Sequence, residues 1–175
     1  MEKWLAGFAK SYGGKLSMPR SSSWRGTTDL TFSKYYLIIP VANRTLEIEL
    51  LYREAYGRFG NHFQARSTML ISQTDRTILT VTRRSWWHRL YRSTFRADDP
   101  GFDKKYVVKG NSDLAADLFQ TRQDIGAFME ASPVGLFVRS KKGRLSAHMY
   151  GLYNHLPEQE LAATIHLFYR LDSVF

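Results

Sequence analysis

The chain predicts an α+β fold. The expected architecture is a largely antiparallel sheet with an N-terminal helix, helices packed on the sheet, and a strand–helix–strand–strand–helix C-terminal part. Three observations carry this. Through the first half, apolar and polar residues alternate in short runs joined by polar turns, as half-buried strands do. Helical spacing replaces that alternation at both ends and between residues 112 and 131. Strands and helices do not alternate regularly, which argues against a doubly wound parallel sheet. Hydrophobic residues make up 43% of the 175 and aromatic residues 14%, enough to build a packed core. The sequence therefore reads as one domain, or as two subdomains, 1–96 and 97–175, that share a sheet or an interface.

Taken in order, Trp4, Leu5, Phe8, Ala9 and Tyr12 share one stripe and predict an amphipathic helix over 2–12, stopped by Gly13-Gly14. Ser, Pro and Gly cluster in SMPRSSSWRGTTD, 17–29, a turn-rich stretch. YYLIIPVA, 35–42, reads as a mostly buried strand. RTLEIELLYRE, 44–54, alternates, with Leu46, Ile48 and Leu50 on one face and Glu47, Glu49 and Leu51 on the other. Strands are also expected over 62–72 and 77–83. With short polar turns between them, these four segments suggest an antiparallel meander.

DDPGFDKKYVVKG, 98–110, reads as a strand with Phe102, Tyr106 and Val108 on one side. Ser112 or Asp113 is placed to cap a helix that begins at DLAADLF. A second helix, TRQDIGAFMEA, carries Ile125, Phe128 and Met129 at helical spacing and ends before Pro133. VGLFVRS and RLSAHMYGL form two strands around the turn at 141–143. A closing helix starts at Pro157 and aligns Leu161, Ile165, Phe168 and Leu171.

Residues 98–175 resemble uncharacterised bacterial proteins of unknown function that share an Asp-Asp-Pro-x-Phe-Asp, strand, helix, hairpin, helix pattern. Asp98, Asp99, Pro100, Phe102, Asp103, Tyr106 and Val108 carry the likeness. The resemblance implies a bacterial domain, sometimes attached to a membrane protein, with no activity and no site residues to carry over.

Several chemistries lack their residues. There is no cysteine, which removes disulfides, thiolate nucleophiles and cysteine metal sites and suits a reducing compartment. His62, His88, His148, His155 and His166 form neither H-x-x-x-H nor H-E-x-x-H. Neither a G-x-S-x-G nor a phosphate-cradling glycine loop occurs. Glu47 and Glu49 share a strand face, and a solvated face explains them better than paired catalytic carboxylates do. Asp98-Asp99-Pro-Gly reads as a turn rather than a cation site. No cofactor and no metal are expected. The N-terminus has no signal-peptide pattern, and no apolar run is long enough to span a bilayer, so the chain is expected in the cytoplasm or on the cytoplasmic face of a membrane.

Charge supplies the functional hint. Residues 1–110 hold 19 of the 25 lysines and arginines but only 9 of the 16 acidic residues, so the whole +9 excess lies there. An anionic partner is implied. Within this region TRRSWWHRLYRS, 82–93, concentrates arginine and aromatic residues. On a helix, Leu90, Trp87 and Tyr91 fall about 40°, about 100° and about 140° from Trp86, opposite a cationic arc. The candidate contact residues are Arg83, Arg84, Trp86, Trp87, Arg89 and Arg92. Burial of those rings against the sheet is the competing structural explanation. The expected role is a non-catalytic binding or accessory module touching an anionic membrane surface or an acidic protein. A single-stranded nucleic-acid binder is the alternative, and an enzyme with a dispersed site comes third.

Overall fold

The computed structural model describes residues 1–17, 31–54, 62–71, 78–85, 93–141 and 144–175. Its elements are, in order, α1 (Glu2–Ser11), β1 (Lys15–Ser17), β2 (Thr31–Val41), β3 (Arg44–Glu54), β4 (His62–Ile71), β5 (Leu79–Arg83), α2 (Pro100–Lys105), β6 (Tyr106–Gly110), α3 (Ser112–Leu118), α4 (Arg122–Ala131), β7 (Gly135–Lys141), β8 (Arg144–Tyr153) and α5 (Glu158–Val174). The mixed α+β class is as the patterning predicts. All eight described strands join one sheet in the order β1-β2-β3-β4-β8-β7-β5-β6, with every described pairing antiparallel.

The expected meander is interrupted. β2, β3 and β4 run as consecutive neighbours, but β5 does not follow β4 into the sheet. The β7–β8 hairpin fills that place, β8 pairing with β4 from Phe63↔Tyr153 to Ile71↔Leu145 and β7 pairing with β5. Alternation shows which side chains share a face but carries nothing about which strand lies alongside. Strand β1, which adds to the outer edge of β2 through Leu16↔Leu37, was not expected from the sequence.

Residues 98–110 differ too. Instead of one strand, Asp99 caps a short helix, its Oδ1 accepting from the Phe102 N–H at 2.8 Å, and Pro100 opens the first turn. Only Tyr106–Gly110 is strand. Phe102 and Tyr106 are four apart, so they share a face in either conformation, which is why the spacing misled. Helix α3 is capped by Asn111, whose Oδ1 accepts from Asp113 and Leu114, rather than by Ser112 or Asp113. Helix α4 has a full capping box between Thr121 and Asp124.

One hydrophobic core lies between the sheet and the helices. It takes alternate residues of each long strand, such as Leu37 and Ile39, Leu46 and Ile48, Met69 and Ile71, and Leu145 and Ala147. Leu5 and Phe8 of α1 cover one part, and Leu161, Ile165, Phe168 and Leu171 of α5 cover another. Under α2, α3 and α4, Phe102, Tyr106, Phe119 and Phe128 form an aromatic knot with ring centroids 4.8–5.6 Å apart. Arg170 of α5 ties this helical layer together, donating to the Asp117 carbonyl at 2.7 Å and Gln120 Oε1 at 2.8 Å, with Nε 3.6 Å from Asp124.

This packing covers one face of the sheet. No helix among the described residues packs on the other.

Candidate functional site

The face on which no described helix packs carries the opposite residues of each alternating strand. They include Lys34, Tyr36 and Ile38 on β2, Glu47, Glu49 and Leu51 on β3, and Gln64, Arg66, Thr68 and Leu70 on β4. β8 adds Ser146, His148 and Tyr150, and β7 adds Phe137 and Arg139. Cross-strand register sets these side chains in lateral rows, one running Tyr36–Glu49–Arg66–Tyr150 and the next Ile38–Glu47–Thr68–His148–Phe137. Neighbours in a row are ~4.8 Å apart across the ladder, close enough to touch.

They do touch. The Arg66 guanidinium lies 5.5 Å from the Tyr150 ring centroid, and Arg139 lies 4.6 Å from that of Phe137. Phe137 and Tyr150 meet edge to face at 5.9 Å. Arg66, Tyr150, Phe137 and Arg139 thus form a continuous array of cations and rings across three strands. Gly135 makes room for it. Its Cβ position would fall 2.9 Å from the Phe137 ring, so a side chain there would lift that ring off the sheet. Among the described residues neither Arg66 nor Arg139 has a carboxylate partner, and both are exposed. Lys34, by contrast, is paired with Glu49 at 3.1 Å.

His148 sits in the middle of the face. Its Nδ1 is 3.1 Å from Thr68 Oγ1 and its Nε2 is 2.9 Å from Ser146 Oγ. Burial, then the positive charges of Arg66 and Arg139, hold the ring below the ordinary histidine range. Ser146, His148 and Thr68 have the spacing of a nucleophile, a base and an orienting group. Their electrostatics oppose that use: a general base must become imidazolium, and here two guanidiniums raise the energy of that form while a hydroxyl replaces the stabilising carboxylate. The arrangement is better suited to binding anions than to removing protons.

Trp86, Trp87, Arg89 and Arg92 lie outside the described residues. Arg83 and Arg84 lie on the helical side of β5 and its exit, away from the cation–aromatic array. Arg83 donates from Nε to the Pro133 carbonyl at 3.0 Å and from Nη2 to Ser132 O at 2.5 Å and Oγ at 2.8 Å. It thereby holds the turn that leaves α4, where Ser132 is left-handed at φ 45°. Arg84 donates to the Asp103 carbonyl at 3.0 Å. These two guanidiniums are partly engaged by backbone. Sequence reasoning treated His148 as an ordinary strand histidine and passed over Arg66, Phe137, Arg139 and Tyr150. The available signal was the alternation on β4, β7 and β8, which puts each of them opposite a core residue.

The other polar groups have local roles. A cleft of about 630 Å³ between α1 and the start of α5 is lined by Tyr12, His155 and Glu160, with His155 Nε2 2.8 Å from Glu160. Asp98 adopts φ 52°, Asp99 caps α2, and Asp103 accepts from the Ala97 N–H, so the acidic run builds a turn. No group of three or more His, Asp or Glu among the described residues could hold a metal. No helix among them is long and apolar enough to cross a membrane. Comparison with protein-family models, with curated proteins and with solved structures finds no match.

Proposed function

We propose that the protein is a binding module for an anionic partner, that the partner is a single strand of nucleic acid, and that it lies on the sheet face opposite the described helices. The observation that carries this reading is the Arg66–Tyr150–Phe137–Arg139 array, two adjoining rings flanked by two guanidiniums on one sheet face. Unpaired bases stack on aromatic rings and guanidinium planes, and arginines neutralise phosphates, so one surface answers both parts of the ligand. The excess of positive charge favours encounter with it. Thr68, Ser146 and His148 add hydrogen-bonding groups between the rings.

A lipid surface fits this face less well. Insertion beneath the headgroups would strip water from the exposed Glu47 and Gln64, whose polar groups find no partners in acyl chains. An acidic protein would use the cations but leave the ring faces without planar partners.

The test is fluorescence anisotropy with labelled oligothymidylate and oligouridylate, set beside duplex DNA and anionic vesicles. Single strands should bind tightest, and Phe137→Ala should weaken them by about 1–3 kcal/mol while its thermal midpoint is followed in parallel. Equal binding to duplex, tighter binding to vesicles, or no binding at low salt would each overturn the reading.

A further inference from the structure

The surroundings of His148 are nearly symmetric. On one side, Nδ1 meets Thr68 Oγ1, and two residues along β4 from Thr68 stands Arg66. On the other, Nε2 meets Ser146 Oγ, and Ser146 pairs across the ladder with Arg139. Each ring nitrogen therefore faces a hydroxyl, and each hydroxyl has an arginine for a neighbour. One imidazole and two hydrogen bonds separate the two halves.

We propose that Arg66 with Thr68, and Arg139 with Ser146, form two phosphate subsites joined through His148, so that the ligand is a chain carrying consecutive phosphates. This rests on the nucleic-acid reading above and names how the backbone of the strand is held. Each subsite offers a guanidinium, the group best matched to phosphate oxygens, and a hydroxyl that can donate.

Hydrogen-bond direction links the two subsites to a proton. A neutral imidazole has one N–H and one bare nitrogen, so one of the two hydroxyls must spend its proton on the ring. An imidazolium donates at both nitrogens. Both hydroxyls then accept from the ring and turn their own protons outward, toward phosphate oxygens. An anion at either subsite also screens the arginine that opposes the imidazolium. Ligand and proton consequently favour each other.

The charged and titratable groups facing His148 agree with this direction. Arg66 stands on β4 and Arg139 on β7, while Tyr150 and Arg144 flank it on β8 itself. The nearest acidic positions in register are Glu47 and Glu49 on β3, beyond β4, and Glu49 is paired with Lys34. No carboxylate of β4, β7 or β8 stands ready to substitute for the ligand.

The experiment follows the His148 ring by ¹⁵N-detected NMR titration in the full chain, alone and with pyrophosphate, orthophosphate or oligothymidylate. Saturating pyrophosphate and oligothymidylate should each raise the ring's titration midpoint by about one unit, and orthophosphate, filling one subsite, by less. Oligothymidylate phosphodiesters keep their charge over this range, so its affinity should be up to about tenfold greater at pH 5.5 than at pH 7.5. That dependence should vanish in His148→Gln. Arg66→Gln or Arg139→Gln should each reduce the preference for pyrophosphate over orthophosphate. A midpoint unmoved by saturating oligothymidylate overturns the subsites while leaving strand binding intact. A midpoint raised by pyrophosphate in a protein that ignores oligothymidylate supports the subsites and defeats the nucleic-acid reading.

Discussion

Replacing both Arg66 and Arg139 by glutamine should change how strand binding depends on salt, by an amount the structure sets. Each guanidinium is exposed and stands over a ring, without a carboxylate partner among the described residues. Each is therefore counted as one phosphate contact. Binding to single strands loses ~0.7 in the slope of log K against log salt for every phosphate neutralised, so the double variant should be shallower by about 1.4. Extrapolated from molar salt, that is about fivefold in affinity per contact at 0.1 M, and about 25-fold for the pair. Glutamine keeps part of the aliphatic stem on the ring, so stacking changes less than charge. The assay is anisotropy of labelled oligothymidylate between 0.05 and 0.4 M KCl, roughly the range over which exposed charges are progressively screened. Because neither arginine is buried, the thermal midpoint should hold. Parallel slopes for wild type and double variant would show that these cations do not meet phosphates, and the placement of the strand would be wrong.

Other outcomes concern the scaffold. Phe128→Ala removes a fully buried ring that packs against Phe102, Tyr106 and Phe119. It should cost about 3–5 kcal/mol, seen as a lower urea midpoint at unchanged m-value. Gly110→Ala would place a Cβ 2.1 Å from the Ile78 carbonyl oxygen at φ 106°. A loss of about 2 kcal/mol, read as a fall of about 4–8 °C in thermal midpoint, is expected. His148 has a depressed pKa when folded, through burial and the two arginines. Below about pH 6.5 the unfolded chain binds a proton that the native ring resists, so stability falls as pH drops; above that value His148 adds no slope. In paired denaturation series, His148→Gln should therefore be less acid-sensitive than wild type between pH 5 and 6.5. Identical pH profiles would contradict the electrostatics assigned to this face.

Much of the secondary structure is local and was readable. The alternation of residues 44–54 coincides with β3, and the stripe of Leu161, Ile165, Phe168 and Leu171 marks the buried side of α5. The N-terminal stripe gives α1 to within a residue. These succeed because a side chain's face depends only on the period of its own backbone. The 98–110 segment failed for the same reason, since a four-residue interval satisfies both periods. There the capping geometry of Asp99 and Pro100 decides.

The site belongs to the other category. Alternation on β4, β7 and β8 determines that Arg66, Thr68, Phe137, Arg139, His148 and Tyr150 oppose the core residues of their strands. It does not determine that they are neighbours. Thr68 and His148 are 80 residues apart in the chain and meet only because β8 inserts beside β4 in a register that opposes them. Arg83 shows the converse. The sequence marks it as a member of a basic patch, whereas the tertiary structure aims it at the carbonyls of the turn that leaves α4, 49 and 50 residues away. The sequence by itself thus determined most of the strands and helices, β1 and α2 excepted, and the excess of positive charge, because those follow from local period and composition. Which cations remain turned outward, and which rings they lie over, was decided by strand order. Strand order reflects how the whole apolar face is buried at once, and no single segment contains that information.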